Sequence, residues 1–166
     1  MSYYIVINGP LGSGKSTNAE KLSQVLNARL IIMDNILTKY NLDRDPDSAS
    51  VPADRFIQAL DIAMPIAKLA LKKGQVVIFD GCFYHREAMD YLIRNMLHPG
   101  YIFTLRVPVD VCIRRDKERK KTLGEDATRA VYKLVVRNRF GIMIDAKGSL
   151  EETHKKIISR LPKLDK

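Results

Sequence analysis

Residues 9–16 read GPLGSGKS, which sets Gly9, Gly12 and Gly14 around Ser13 and then delivers Lys15, Ser16 and Thr17. That spacing is suited to holding a polyphosphate. The three glycines let the backbone take positive φ and approach an anion with no Cβ in between. Successive N–H groups converge on the anion, and a helix starting near Lys15 points its positive end at it. Lys15 reaches the β- and γ-phosphates, and the Ser16 hydroxyl takes a place on Mg²⁺. A Gly-rich turn that merely contains Gly-Lys-Ser is the bland alternative; the apolar run before it and the helical pattern after it argue against that.

Two carboxylates and a pair of arginines extend the chemistry. Asp80 follows four apolar residues in VVIFD, a placement that brings it beside the phosphate cradle to hold Mg²⁺ directly or through water. The same aspartate is also placed to cap a following helix. Asp34 follows LIIM and can accept the proton of an alcohol and aim its oxygen at a γ-phosphorus, since a carboxylate on a strand end has little conformational slack. An N-cap for a short helix from residue 35 is its other reading, and the two roles are compatible. Arg115 and Arg119 lie four apart in VCIRRDKER, which places them on one face of a predicted helix. Closing over a triphosphate, they would neutralise charge and exclude water; a solvated helix with internal ion pairs has the same sequence.

These residues need a scaffold that gathers them. Five short apolar runs, at residues 3–8, 29–33, 75–79, 101–106 and 141–145, alternate with longer helical patterns. They lack polar alternation, so both faces are buried, which predicts a parallel sheet covered by helices. One helix is expected over about 15–27 and another over about 54–73, ending at Gly74 as a left-handed cap. Pro65 inside the second predicts a kink or break just before it. A capping box at residues 149–152 (SLEE) opens the last helix. The Asp-, Ser- and Pro-rich stretch over 41–52 reads as a loop of the kind that carries ligand contacts.

With 166 residues the chain fits one domain that needs no disulfide or metal to fold. Cys82 and Cys112 make no ligand spacing and read as buried fillers, which suits a reducing, cytoplasmic compartment. No run approaches a membrane span and no secretory signal opens the sequence. The net charge of +9 is concentrated in residues 114–121 and 155–166, each contributing +4. The first cluster falls where a phosphate-handling site wants cations, and the second reads as the solvated side of a terminal helix.

Taken in order, GPLGSGKS, Asp34, VVIFDG ending at Gly81, and VPVDVCIRRDKER resemble the small P-loop kinases: shikimate, gluconate and adenylylsulfate kinases, chloramphenicol phosphotransferase, and the kinase domain of polynucleotide kinase. The resemblance covers nearly the whole chain. It implies an α/β P-loop NTPase fold over residues 1–166, with a five-stranded parallel sheet in the order 2-3-1-4-5, helices on both faces and a helical lid over about 113–128. It further implies ATP and Mg²⁺ as cofactors, Asp34 as the residue that positions the acceptor, an acceptor region over about 34–61, and an adenine-bordering stretch around Lys147. Asp34-Asn35-Ile36 in place of Asp-x-Asp, and Asp80-Gly81-Cys82 in place of a triple glycine, argue against shikimate itself.

The region 34–61 carries a net charge of −3, an odd setting for a dianionic nucleotide acceptor. Arg44, Arg55 and Arg86 are the candidate cations there; Gly81, and more weakly Tyr84 and His85, are further candidate contacts. The expected activity is transfer of a γ-phosphate to a hydroxyl of a small metabolite. A polynucleotide, nucleoside or nucleotide kinase is the alternative, although with 7% aromatic residues base stacking has little support. An ATP-binding regulator without transfer activity is a second alternative. No membrane partner is expected, and monomer and homodimer stay open.

Overall fold

The computed structural model of the chain describes residues 1–43, 48 and 50–163. Five strands, β1 (Tyr4–Asn8), β2 (Arg29–Ile32), β3 (Val77–Gly81), β4 (Gly100–Arg106) and β5 (Ile142–Asp145), form one parallel sheet in the order β2-β3-β1-β4-β5. Every residue of β1 and β3 is buried, as expected for central strands covered on both faces.

The pleat divides the core. Tyr4, Val6, Val77 and Phe79 face one side, where α2 (Met33–Lys39), α3 (Ala53–Lys72) and α4 (Arg86–Asn95) contribute Met33, Leu60, Ala63 and Leu92. Ile5, Ile7, Ile78 and Phe103 face the other, against Ala19 and Leu22 of α1 (Lys15–Leu26) and Ile157 of α7 (Leu150–Ile158). Helices α5 (Val109–Lys117) and α6 (Glu125–Arg137) connect β4 to β5 over the carboxyl ends of the strands. None of the helices among the described residues is long and apolar enough to cross a membrane.

Three expectations need correcting. The third strand lies two residues later than its apolar run, because pairing with β1 starts at Tyr4↔Val77 and continues to Asn8↔Gly81. Asp80 therefore sits within the strand, opposite Ile7, and α4 starts only at Arg86, too far on for Asp80 to cap it. Helix α3 runs through Pro65 without a break. Pro65 lies on its exposed face, where water can satisfy the carbonyl that loses its donor. The lid is helical only at its flanks: α5 ends at Lys117 and α6 starts at Glu125. Gly74 has φ +80° beyond α3, and Ser149 with Glu152 forms the capping box of α7, both as expected.

A buried polar chain supports the end of β1. Asn8 accepts a hydrogen bond from the Phe83 N–H at 2.8 Å and donates to Thr104 Oγ1 at 3.2 Å. Thr104 in turn donates to the Phe140 carbonyl at 2.7 Å. The segment after β3, the end of β1 and the approach to β5 are thus tied together directly below the glycine turn.

Candidate active site

The turn between β1 and α1 is held in shape by its own backbone. Ser13 N–H donates to the Pro10 carbonyl, and Gly14, at φ +86°, is the N-cap of α1. Gly12 has φ +74°, and a Cβ there would lie 2.3 Å from the carbonyl oxygen of Cys112 on α5. Only glycine allows this approach of the turn to α5. Gly9 has no positive φ; space is what it supplies, since a Cβ there would come within 2.6 Å of Ser13 Oγ. We expect Gly12→Ala to destabilise the fold by about 2 kcal/mol or more, the left-handed backbone alone costing about 1–2 kcal/mol. The check is the urea midpoint: an unchanged midpoint would mean that α5 yields at no cost.

Gly12, Gly14, Lys15, Ser16 and Thr17 line a cavity of about 340 Å³ together with Arg115, Glu118, Arg119 and Leu150. Lys15 is only 6% exposed. Burial works against its charge, but Cys82, Asp80 and Asp34 outweigh that and hold the ammonium above its usual range. Asp80 is 2% exposed, and burial pushes its carboxyl up against the pull of Lys15 and the Ser16 hydroxyl. Its Oδ1 is buried without a hydrogen-bond partner, as is Ser13 Oγ. A buried, unpartnered carboxylate oxygen beside a threonine- or serine-type hydroxyl suits a hydrated Mg²⁺, so Ser16 and Asp80 fit that ion.

Arg115 reaches across the same cavity. Its guanidinium donates to the carbonyls of Ser13 at 3.4 Å, Ala146 at 3.3 Å and Gly148 at 3.2 Å, joining the glycine turn to the segment after β5. Arg119 does not share a helix face with it, because α5 has ended, yet the turn brings both to one cavity. The arrangement of that turn rests on Asp116, which sequence reasoning missed. This carboxylate is 1% exposed and accepts from the Leu123 N–H at 3.1 Å and the Gly124 N–H at 3.2 Å. Its only outward signal was an acid within a basic run. Removing it leaves both N–H groups without that acceptor, so Asp116→Ala is expected to loosen residues 118–124 locally. Trypsin, which has Arg119, Lys120 and Lys121 as targets, should cut there several-fold faster while the melting temperature moves little; unchanged cleavage would rule out the pinning role.

Asp34 is exposed in the first turn of α2, and no side chain caps that helix. It lines a second cavity, about 400 Å³, shared with Leu11 of the glycine turn, Leu37, Thr38, Asp43, Ser50, Val51, Cys82 and Tyr84, and with Leu123, Ala127 and Val131 from the lid side. Tyr84 and His85 secure its far wall: the Val51 N–H donates to Tyr84 Oη at 2.8 Å, and His85 Nε2 lies 2.7 Å from the Val51 carbonyl. Burial pushes the Tyr84 phenol up to about 12. The lid residues of this wall were not anticipated; their spacing at 123, 127 and 131 has the same form as an ordinary core stripe.

Lys147, expected on the adenine-bordering stretch, lines a groove of about 520 Å³ with Pro10 of the glycine turn, Pro108, Arg139 and Asp145. Arg86 places its guanidinium 5.6 Å from the centre of the Phe140 ring, and neither it nor Arg55 lines the Asp34 cavity. Gly81 is buried in β3, with Met33 packed where a Cβ would go. Arg44 lies outside the described residues. Cys82 and Cys112 are both buried thiols.

Comparisons with known proteins agree with this architecture. The chain resembles a gluconokinase from Sinorhizobium meliloti 1021 (TM-score 0.70, 16% identity, 94% of this chain and 89% of that one). It also resembles the shikimate kinase from Bacteroides thetaiotaomicron (TM-score 0.66, 18% identity, 95% of each chain) and the tunicamycin resistance protein of Deinococcus radiodurans (TM-score 0.70, 20% identity, 96% and 95%). No curated protein matched the sequence. At these identities the solved structures speak for the fold, and the sheet order and glycine turn found here are those of the small P-loop kinases. The family model described as AAA domain matches residues 5–140, most of the length and all of the phosphate cradle, so the chain belongs to that family.

Proposed function

We propose that the protein is an ATP-dependent phosphotransferase that moves the γ-phosphate to a hydroxyl of a small metabolite. The observation that carries this reading is the meeting of two cavities at the glycine turn. One is lined by Lys15, Ser16, Arg115 and Arg119, the other by Asp34, and Leu11 of the same turn lies on the second. A protein that only bound ATP would have no use for a carboxylate across from the phosphate cradle.

In this reading the backbone N–H groups of residues 12–16, with the positive end of α1, hold the β-phosphate, and Lys15 bridges to the γ-phosphate. Mg²⁺, held at Ser16 and Asp80, would neutralise phosphate charge as it shifts towards the leaving group. Arg115 and Arg119 stabilise the transferring group from the lid side. Asp34 accepts the proton of the attacking hydroxyl and keeps its oxygen in line. Positioning and charge stabilisation supply most of the effect.

The test is an ADP-release screen over hydroxyl-bearing metabolites, nucleosides and 5′-hydroxyl oligonucleotides. Acceptor-dependent ADP release with a small alcohol is the expected result. Release confined to oligonucleotides, fading steeply with salt, would move the assignment to polynucleotides, and ATP binding with no transfer to any member would leave a regulator.

A further inference from the structure

The walls of the Asp34 cavity carry information about its occupant, given the phosphotransferase reading. Part of its lining is acidic and hydroxylated: Asp34, Thr38, Asp43, Ser48 and Ser50. The rest is largely hydrocarbon: Leu11, Leu37, Val51 and, from the 123–131 stretch, Leu123, Ala127 and Val131. No lysine or arginine is among the described residues that line it. Thr38 Oγ1 donates to Asp43 Oδ2 at 2.6 Å, which fixes this carboxylate, and Asp43 Oδ1 has no hydrogen-bond partner among the described residues. The Tyr84 hydroxyl is occupied by the Val51 backbone.

We infer that the phosphoryl acceptor is a non-anionic, partly apolar alcohol. It presents hydroxyl or amino groups to Asp34 and Asp43 and a ring or hydrocarbon face to Leu37, Val51 and Val131. A carboxylate or phosphate in this cavity faces two like charges; the Lys15 ammonium next to Cys82 is already shared between Asp34 and Asp80, no lysine or arginine is among the described lining residues, and repulsion is strong where apolar walls exclude water. A hydroxyl or ammonium donates to the same carboxylates. The volume of about 400 Å³ takes a ligand of metabolite or small-drug size, and walls of mixed polar and apolar character are the usual form of such sites. Acids such as gluconate and shikimate are therefore the wrong charge for this cavity.

The experiment compares kcat/KM by ADP release, at saturating ATP and Mg²⁺, for one scaffold in three charge forms: glucose, glucosamine and gluconate. A second series uses cyclohexane-1,2-diol, 2-aminocyclohexanol and shikimate. The neutral or amino form should exceed the carboxylate form about tenfold or more in whichever series turns over, and Asp43→Asn should narrow that ratio at least threefold. Gluconate or shikimate matching or exceeding its uncharged partner overturns the inference. If Arg44→Ala then abolishes that turnover, the cation that overturned it is identified. Should both series stay silent, the acceptors found in the wider ADP-release screen are scored by charge in the same way: anionic acceptors overturn this inference alone, and silence there as well overturns the phosphotransferase reading on which it rests.

Discussion

Lys15→Ala is expected to lower phosphoryl transfer by about 10³-fold and to raise the KM for ATP, the loss seen when a preorganised charge is removed from a developing anion. The site gives this change a second route to damage. Lys15 is the cation that draws the buried Asp80 carboxyl back down, so its loss leaves burial less opposed and Asp80 more readily protonated. A protonated Asp80 is a poorer Mg²⁺ partner. The variant should therefore need more Mg²⁺ for half-maximal rate as well as more ATP. Steady-state kinetics over a grid of ATP and Mg²⁺ concentrations measures both, and a rate within tenfold of the parent would place the phosphate contact on another residue.

Asp34→Asn should separate donor from acceptor. The side chain is exposed, makes no helix cap and lines the second cavity rather than the one at the glycine turn, and it is the smallest of the three charges that act on Lys15, so its isosteric replacement leaves the fold in place and changes the glycine turn little. Transfer should fall by about 10² or more, the usual size of a lost proton acceptor, while ATP affinity stays within about twofold by titration calorimetry. Parallel loss of ATP affinity in Asp34→Asn and Lys15→Ala would mean that the carboxylate belongs to the nucleotide site.

The parts legible in the sequence are those encoded locally. GPLGSGKS carries its conformational demands in its own glycines, the capping box is contained in four residues, and β-branched runs without alternation suffice for a buried parallel sheet. What escaped depends on partners far along the chain. The third strand is positioned by pairing with β1, not by its own apolar run, and this moved Asp80 from a strand end into the strand. Gly9 was read as conformationally special, whereas its neighbours Ser13 and Leu105 supply the constraint. Arg119 looked like a helix-mate of Arg115 because periodicity does not show that α5 stops at Lys117 and that Asp116 turns to hold the N–H groups beyond it. Lys147 follows a strand end as expected and lines a groove with Pro10 of the glycine turn, its ammonium 4.0 Å from the Asp145 carboxylate.

The stretch from Arg115 to Val131 borders both cavities, with Arg115 and Arg119 at the one beside the glycine turn and Leu123, Ala127 and Val131 at the one that Asp34 lines. If each cavity takes a ligand, one stretch of chain answers to both, and whichever binds first lowers the cost of ordering that stretch for the other. Such an arrangement predicts synergy in ternary-complex formation whichever ligand arrives first. Under the phosphotransferase reading, a stretch whose seating needs the alcohol as well as the nucleotide would keep idle hydrolysis of the triphosphate slow.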